Sequence, residues 1–371
     1  MNTFSARLID EILLAHEVSQ IHKLKIIVPS QRAKWQISKS LSTLIQKPFI
    51  FPHIDTIHNY ILSHSKLDLI ENYEAQLILC KTATAIDQSI SQDIFYSQCT
   101  SILKEFNNIE SYMIKHEKLF YELSNITAIE NWSLKDENLS KNQQNYISQY
   151  KKLGDLFGLF KSQLIKSKKG ISGMLYREVA ENHIEYFKNE SNIYFIGLNA
   201  LSKSEETIIS YLCKEKKAKI FVDVDQYYVN NKDHEAGYFF RKHKHLNYNN
   251  PVKQIESSTK DITIHEVSTS IKQIEIISQI INENSNKKFT IVTMDESLGP
   301  IIFESLIKNY QHINFSSGVS INFFEATKLF NFLSQDFLEG TNSTKEIDYL
   351  AFCKILNFNI LKNNISNLKE V

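Results

Sequence analysis

Two aspartates, Asp223 and Asp225, stand at the end of a buried-type run, Lys219–Val224, and are the side chains best placed by spacing to do chemistry. Residues two apart on a strand project from one face, so the spacing predicts paired carboxylates. Such a pair can bind a divalent cation and support nuclease chemistry. The alternative is that both acids cap the following turn and stay solvated. Because no third acid or lysine stands at a fixed spacing, both remain weak metal candidates.

Downstream of the aspartates, aromatic and cationic residues alternate. Tyr227 and Tyr228 are followed by the run Tyr238–His245, which reads YFFRKHKH. Aromatic rings stack on the bases of single strands and cations neutralise phosphate, so Tyr227, Tyr228, Arg241 and Lys242 are candidate DNA contacts. The alternative is that the aromatic residues of this run anchor a loop in the core while its basic residues form a solvated turn. The sequence leaves both interpretations open.

A second candidate group opens a helix. The apolar run Leu24–Val28 ends at a proline, and the hydroxyl of Ser30 is suited to cap a helix over Arg32–Leu44. Amides at a helix N-terminus and nearby cations favour phosphate, and an indole can stack on a base. The candidate DNA contacts here are Gln31, Arg32, Lys34 and Trp35. The alternative is a solvated first turn with the tryptophan packed in the core.

Other polar groups have simpler explanations. Glu205 and Glu206 fall in the first turn of a helix that begins at Ser202 or Ser204, where negative charge complements the helix dipole. Capping therefore explains both glutamates. His234 has no second histidine four residues on, so we expect a satisfied loop histidine there rather than a metal ligand.

The composition excludes several classes of protein. The 371 residues carry 42 basic and 42 acidic side chains, so no global field draws the chain to nucleic acid or to anionic membrane. The four cysteines lack the paired spacing that zinc or an iron–sulfur cluster requires. No apolar run approaches the ~18 residues that span a bilayer, and the acidic, amphipathic N-terminus is not a signal peptide. We therefore expect a cytoplasmic protein with no membrane partner.

Strands and helices must alternate to position the candidate residues. Strand, helix and strand occur over Leu24–Val28 to Phe49–Phe51, where a further helix starts at Asp55 or Thr56. The same order recurs over Ile193–Gly197 to Lys219–Val224, and crossovers of this kind give parallel strands in one sheet. Ligands of such sheets bind at the carboxyl ends of the strands, where the two aspartates and Tyr227 fall.

Between the two crossovers, residues 61–185 show helical periodicity with almost no strand signal. The pattern predicts one α/β domain built from residues 1–60 and 186–255 and interrupted by a helical insertion. A second alternation follows over residues 256–371. Its predicted strands are Ile262–Val267, Phe289–Met294 and one near Ile313, and its predicted helices are Ile271–Asn282 and Ser297–Lys308. Past Gly340 the pattern is helical again and predicts the start of another helical insertion.

These segments together resemble AddB-like proteins, in which one half is an inactivated superfamily-one helicase. IIVPSQRAKWQISKSL resembles the family's second helicase motif, and LSKNQQNYISQYKKL through GMLYREVAEN is similar to its helical insert. IYFIGLNALSKSEETIISYL followed by VDVDQYYVNNKDHEAGYFFRK is similar to the region of the nucleotide-hydrolysis strand. EVSTSIKQIEIISQII followed by KFTIVTMDES resembles the opening of a second motor domain.

The resemblance implies a RecA-like domain with a helical insertion, followed by part of a second RecA-like domain. It also implies a role in double-strand-break repair and recombination. The implied partners are DNA, single-stranded or as duplex ends, and a helicase–nuclease partner subunit. Larger members of the family carry a C-terminal PD-(D/E)XK nuclease domain. Because this chain ends early in the second motor domain, we expect that nuclease domain to be missing and the chain to be a fragment or a truncated product.

The expected function depends on how this sequence differs from that of a helicase motor that hydrolyses ATP. A P-loop cradles phosphates with backbone amides and ends in Gly-Lys-Ser/Thr, and no such motif occurs here. Ile196 and Gly197 occupy the turn where an acidic residue would hold Mg²⁺. We therefore expect no cofactor and a non-catalytic DNA-handling scaffold. The alternatives are a nuclease that uses Asp223 and Asp225, or a protein-interaction module that binds no DNA.

Overall fold

A computed structural model describes residues 3–124, 141–243 and 245–339, apart from 247, 250, 258, 286, 308–309, 311–312, 317 and 319, and also residues 355 and 358. The chain divides into two compact units, Met1–Thr259 and Lys260–Val371. The first unit is a mixed α/β structure that contains every candidate site residue. The described residues of the second unit form helices joined by segments without regular secondary structure.

A four-stranded parallel sheet forms the centre of the first unit. The strands of this unit are β1 (Lys25–Val28), β2 (His53–Thr56), β3 (Asp68–Leu69), β4 (Lys169–Gly170), β5 (Ile193–Ile196) and β6 (Ala218–Phe221). The sheet order is β2-β1-β5-β6, and the register sets Lys25 beside both His53 and Ile193. The order of the strands therefore reverses between β1 and β5. The predicted α/β class and the parallel pairing of both crossovers are confirmed.

Helices cover both faces of this sheet. The described α-helices of the first unit are α1 (Phe4–Ala15), α2 (Gln31–Leu44), α3 (Ile57–Leu62), α4 (Asn72–Ile86), α5 (Gln92–Ser111), α6 (His116–Ser124), α7 (Lys141–Lys166), α8 (Ser172–Glu181), α9 (His183–Tyr186), α10 (Lys203–Lys214), α11 (Gln226–Asn230) and α12 (Tyr238–Lys242). On β1, Ile26 and Val28 pack with α1 and α2, whereas Ile27 packs with α3, α8 and α10. Successive residues of a strand point to opposite faces, and an all-parallel sheet needs both faces covered.

Capping hydrogen bonds confirm the predicted starts of three helices. Ser30 Oγ accepts from the Ala33 amide at 3.2 Å, so α2 begins directly after β1. Thr56 Oγ1 accepts from the Asn59 amide at 3.2 Å at the start of α3. Ser202 starts α10 with a capping box, in which the Glu205 carboxylate accepts from the Ser202 amide at 2.8 Å. Each cap fixes where the chain leaves the carboxyl end of a strand.

The predicted helical insertion is built from α4 to α7 around a core of its own. Phe106 and Phe157 are fully buried there, with ring centroids 4.3 Å apart. The short parallel pair β3 and β4 joins the two ends of this region, a feature that the helical pattern did not predict. Glu110 is buried beside Lys161, at 2.6 Å from its Nζ. Arg177 Nε lies 2.7 Å from the other carboxylate oxygen, in an ion pair that lacks hydrogen-bond geometry.

Two strand predictions in this unit are wrong in position. Phe49–Phe51 is not a strand, and β2 lies four residues further on. Pro48 and Pro52 flank the predicted run, and proline has no N–H to donate to a strand ladder. β6 ends at Phe221 rather than at Val224, because the side chain of Asn249 takes the place of a neighbouring strand. The side-chain amide of Asn249 accepts from the Val222 N–H at 2.6 Å and donates to the Val222 carbonyl at 3.1 Å.

The amino edge of the sheet is closed by an ionic cluster around Glu190. Both oxygens of its carboxylate accept from Lys25 Nζ at 2.7 Å, and His64 Nε2 lies at 3.4 Å. The Tyr60 hydroxyl donates to the same carboxylate at 3.5 Å. The hydrogen bond from His64, together with that from Lys25, outweighs burial and lowers the pKa of Glu190 to about 2. These side chains hold the amino ends of β1 and β5 together.

The second unit contains α13 (Ser270–Glu283), α14 (Leu298–Ile307) and α15 (Glu325–Glu339). The predicted helices at Ile271–Asn282 and Ser297–Lys308 are confirmed. The predicted strands at Ile262–Val267, Phe289–Met294 and Ile313 are absent from the described residues of this unit. Side chains such as Ile264 and Met294 are 89% and 97% exposed, and no strand among the described residues of this unit is available to pair with these runs. The helical pattern past Gly340 falls outside the described residues.

No helix within the described parts of the chain combines the length and the apolar character needed to cross a membrane.

Candidate functional site at the carboxyl edge of the sheet

The carboxyl edge of the sheet brings together the turns after β1, β5 and β6. The chain continues from β1 through Pro29 and Ser30 into α2, and from β5 through Gly197 towards α10. Gly197 has a φ of +70°, a left-handed conformation that a side chain disfavours. Crevices for ligands in open parallel sheets lie where the strand order reverses, which is between these two turns.

Side chains at the start of α2 face solvent. Gln31 and Arg32 are exposed, and the Trp35 side chain is 60% exposed with Lys39 Nζ 5.0 Å from its ring centroid. Lys34 Nζ lies 4.0 Å from a carboxylate oxygen of Asp55, a residue of the neighbouring strand β2. The alternative in which the tryptophan packs in the core is therefore wrong. A large exposed aromatic ring with a cation at its face is available for stacking.

Asp225 is a structural residue rather than a free carboxylate. It is 8% exposed, and one oxygen accepts from the Tyr227 amide at 2.9 Å, which caps α11. The other oxygen accepts from the amides of Gln254 and Ile255 at 2.7 and 3.0 Å. Three backbone donors on two segments therefore converge on a single side chain. This contact fastens the stretch before residue 259 to the end of β6.

Asp223 has different surroundings, although only one residue separates it from Asp225. Its side chain is 57% exposed, and one oxygen accepts from Arg7 of α1 at 2.6 Å. Both aspartates follow β6 rather than lying on it, so the strand geometry predicted for them is wrong. Among the described residues, no group of three or more histidine, cysteine, aspartate and glutamate side chains is arranged to hold a metal ion. The two carboxylates are engaged by an arginine and by backbone amides.

Arg241 turns away from solvent and holds a loop. Its guanidinium donates to four backbone carbonyls, those of Tyr228, Asn231, Lys232 and His234, at 2.7 to 3.1 Å. The planar donor fork of arginine suits this multiple contact, which a lysine could not reproduce. The predicted DNA contact at this position therefore carries a structural role in the folded chain.

The other candidates in this segment are divided between the surface and the interior. Tyr227 is 41% exposed and Tyr228 half-buried, and their rings lie 5.4 Å apart. The ring centroids of His234 and Tyr228 lie 4.6 Å apart, and His234 Nδ1 accepts from the Ala236 amide at 3.2 Å. These contacts are as expected for a satisfied loop histidine. Lys242 is exposed. The segment is neither wholly a solvated turn nor wholly a buried anchor, because some of its side chains face solvent while their neighbours are buried.

A cluster around Glu206 was not predicted from the sequence. His243 is 1% exposed and its Nδ1 lies 3.2 Å from Glu206 Oε1, while His245 Nε2 lies 3.3 Å from the same atom. Lys203 Nζ lies 3.0 Å from the other oxygen. Burial raises the pKa of Glu206, but hydrogen bonds from Lys203 and His243 outweigh it and the pKa is lowered. Capping of α10 therefore explains Glu205 but not Glu206, and no sequence spacing links residue 206 to residue 243.

A cavity of about 420 Å³ opens at the carboxyl ends of β5 and β6. Its walls come from the turn after β5, the segment after β6, α11, α12 and residues 252–255. The lining includes Asp223, Asp225 and Tyr228 of the predicted site. The cavity lies between the ends of β5 and β6, whereas the strand order reverses between β1 and β5.

Comparison with known proteins gives no family: no family model and no curated protein matches this sequence. The assignment of function therefore depends on the geometry of the carboxyl edge.

Proposed function

We propose that residues 1–259 form a RecA-like domain that holds DNA without hydrolysing ATP, in the manner of the inactivated helicase part of an AddB-like repair protein. The strand order β2-β1-β5-β6 and the helices on both faces are compatible with this fold. The resemblance of the segments around β1 and β5 supports the same assignment. In this proposal the protein acts in the cytoplasm with a helicase–nuclease partner subunit.

The exposed Trp35 is the observation that carries the proposal. A tryptophan at this level of exposure contributes little to the core, yet it lies in the second turn of the helix after β1. Lys39 lies at its face, and Gln31 and Arg32 are exposed one turn before it. Stacking on a ring tolerates any base, and flanking cations neutralise the backbone of a single strand.

Loss of nucleotide hydrolysis is supported by the turn after β5. Gly197, which has no side chain, and Leu198 follow the strand, and neither residue supplies a side-chain oxygen that could hold Mg²⁺. The nearest candidate acid on the neighbouring segment, Asp223, is paired with Arg7 at 2.6 Å. A domain of this kind binds DNA through fixed contacts instead of through a nucleotide-driven cycle.

The test is titration of a fluorescent single-stranded oligonucleotide into the purified chain at low and moderate salt, without nucleotide or metal. We expect binding that weakens with salt, because each phosphate contact releases counterions. Trp35→Ala should weaken binding about fivefold to tenfold through lost stacking. Arg32→Ala should reduce the slope of log affinity against log salt by about 0.7.

Matched controls lie on α6, where Tyr121 is a 69% exposed aromatic and Lys118 an exposed cation. Tyr121→Ala and Lys118→Ala should leave the affinity unchanged. A blunt duplex of the same length compares duplex ends with single strands. Absence of binding at low salt would overturn the DNA proposal and leave a protein-interaction module, and saturable ATP binding at millimolar concentration would overturn the claim of an inactive motor.

A further inference from the structure

The cavity beside β5 and β6 has the size and floor of a small-molecule site. Its volume of about 420 Å³ lies within the usual range for ligand pockets. Leu198 and Val224 are buried and Phe240 is half-buried, and all three line the cavity. An apolar floor of this kind favours a ligand with a flat, uncharged face.

The rim of the cavity is polar, and its one exposed carboxylate, that of Asp223, is paired with Arg7 at 2.6 Å. Asn199 and Gln254 present exposed carboxamides, Tyr228 a phenol and Asp223 a carboxylate. Carboxamides and a phenol both donate and accept hydrogen bonds, whereas a carboxylate only accepts. All the lining residues belong to the described part of the chain, and none of them is a lysine or an arginine. The lining residues supply no cation to hold a phosphate, and their amide and phenol groups suit the hydrogen-bonding edge of an uncharged ligand.

We infer that this cavity binds a nucleobase, with the ring on the apolar floor and its polar edge towards the carboxamides and Asp223. A base that carries an exocyclic amine is favoured over thymine, because the amine can donate to the carboxylate. The base has two possible sources, a DNA strand whose backbone stays outside the cavity or a free nucleoside. Only the first source rests on the proposed function.

Two contacts described above keep the cavity open and fixed. Asp225 accepts from the amides of Gln254 and Ile255, so it holds these two residues against the end of β6 and thereby holds one wall of the cavity. Arg241 ties α12, which carries Phe240, to the loop after α11. A pocket that is already formed before binding avoids the ordering cost of closing around its ligand.

The test begins with calorimetric titration of adenosine and thymidine into the full chain. We expect adenosine to bind with a dissociation constant of about 0.1–1 mM and thymidine to bind more weakly. Asn199→Trp fills the mouth from an exposed position and should lower the adenosine affinity at least about tenfold. Asn230→Trp, at an exposed asparagine that does not line the cavity, is the matched control and should have no effect. Asp223→Asn should reduce the preference for adenosine over thymidine.

A second arm identifies the source of the base. Oligothymidine with one central adenine is compared with the same strand carrying an abasic site there. Tighter binding of the adenine strand, lost in Asn199→Trp, supports a base delivered by DNA, whereas adenosine binding without any difference between the strands supports a free nucleoside. The inference is overturned if adenosine shows no binding up to about 10 mM and neither strand responds to Asn199→Trp. Salt-sensitive binding that still depends on Trp35 would then leave the proposed DNA function intact.

Discussion

The two edges of one sheet use their polar side chains in opposite ways. At the amino edge, Glu190 gathers Lys25, His64 and Tyr60 into a cluster that is largely withdrawn from solvent. At the carboxyl edge after β1, the side chains of Gln31, Arg32 and Trp35 are exposed to solvent. From this contrast we expect stabilising contacts at the amino edge and ligand contacts at the carboxyl edge, because ligands of parallel sheets bind at the carboxyl ends of the strands.

Asp225 shows that the separation follows contacts rather than position. It lies at the carboxyl edge, yet it is as fully engaged as Glu190. Each side chain should therefore affect the free energy of unfolding according to its contacts and not according to the edge on which it lies.

The largest effect is expected for Asp225→Ala. The substitution leaves three amides without an acceptor, so the free energy of unfolding should fall by about 3–4 kcal/mol. Urea unfolding monitored by circular dichroism measures this loss. Asp223→Ala is the control, since its exposed pair with Arg7 should contribute at most about 1 kcal/mol. Equal losses for the two variants would break the distinction between the neighbouring aspartates.

At the amino edge, Glu190→Gln should lower the free energy of unfolding at pH 7 by about 2–3 kcal/mol. The pKa of Glu190 is lowered from 4.5 to about 2 in the folded chain, so its ionised form stabilises the fold above pH 4.5. That stability is lost as pH falls from 4.5 towards 2, and the difference between the two proteins should shrink over the same range. Unfolding curves at several pH values measure it, and a difference that stays constant down to pH 2 would contradict the cluster's role.

Arg241→Ala should cost about 1–2 kcal/mol, because four carbonyls lose a charged donor. Arg241→Lys should recover little of this, since a lysine cannot reach the four acceptors together. Hydrogen exchange of the amides in residues 228–234 gives a local readout and should accelerate in both variants. Unchanged exchange would show that the loop holds its shape without the guanidinium.

The smallest effect on stability is expected for Trp35→Ala, within about 0.5 kcal/mol, because the ring is mostly solvated. A loss of oligonucleotide affinity without a loss of stability would sharpen the contrast between the two edges. Chemical unfolding measures the stability of the same protein preparation, and the oligonucleotide titration measures its affinity. A loss of several kcal/mol would instead place the tryptophan among the residues that hold the sheet.

The local features of the fold could be predicted from the sequence because they depend on near neighbours. Ser30, Thr56 and Ser202 cap helices through amides three residues away, and the apolar runs of β1 and β5 need only a sheet to bury them. The position of β2 was missed although its signal was present. Pro48 and Pro52 flank the more apolar run and leave His53–Thr56 as the segment able to pair.

The roles of side chains in the site could be predicted less well, because their partners are distant in sequence. YFFRKHKH indicates a basic surface, but Arg241 and His243 turn inward to a loop and to Glu206 of another helix. Asp225 and Asp223 look equivalent in sequence and differ only in what folds against them. In the second unit, apolar runs predicted strands, but a run becomes a strand only where a neighbour pairs with it.

The position of the helical region between β2 and β5 has a consequence for how the protein is made. β1 pairs with β5 residue by residue, Lys25 with Ile193, although the whole helical region separates them in the chain. At typical rates of synthesis β5 emerges from the ribosome roughly 10–30 s after β1. During that interval β1 lacks its partner β5, so we expect the apolar edge of the nascent β1–α2–β2 segment to be exposed and prone to wrong pairing.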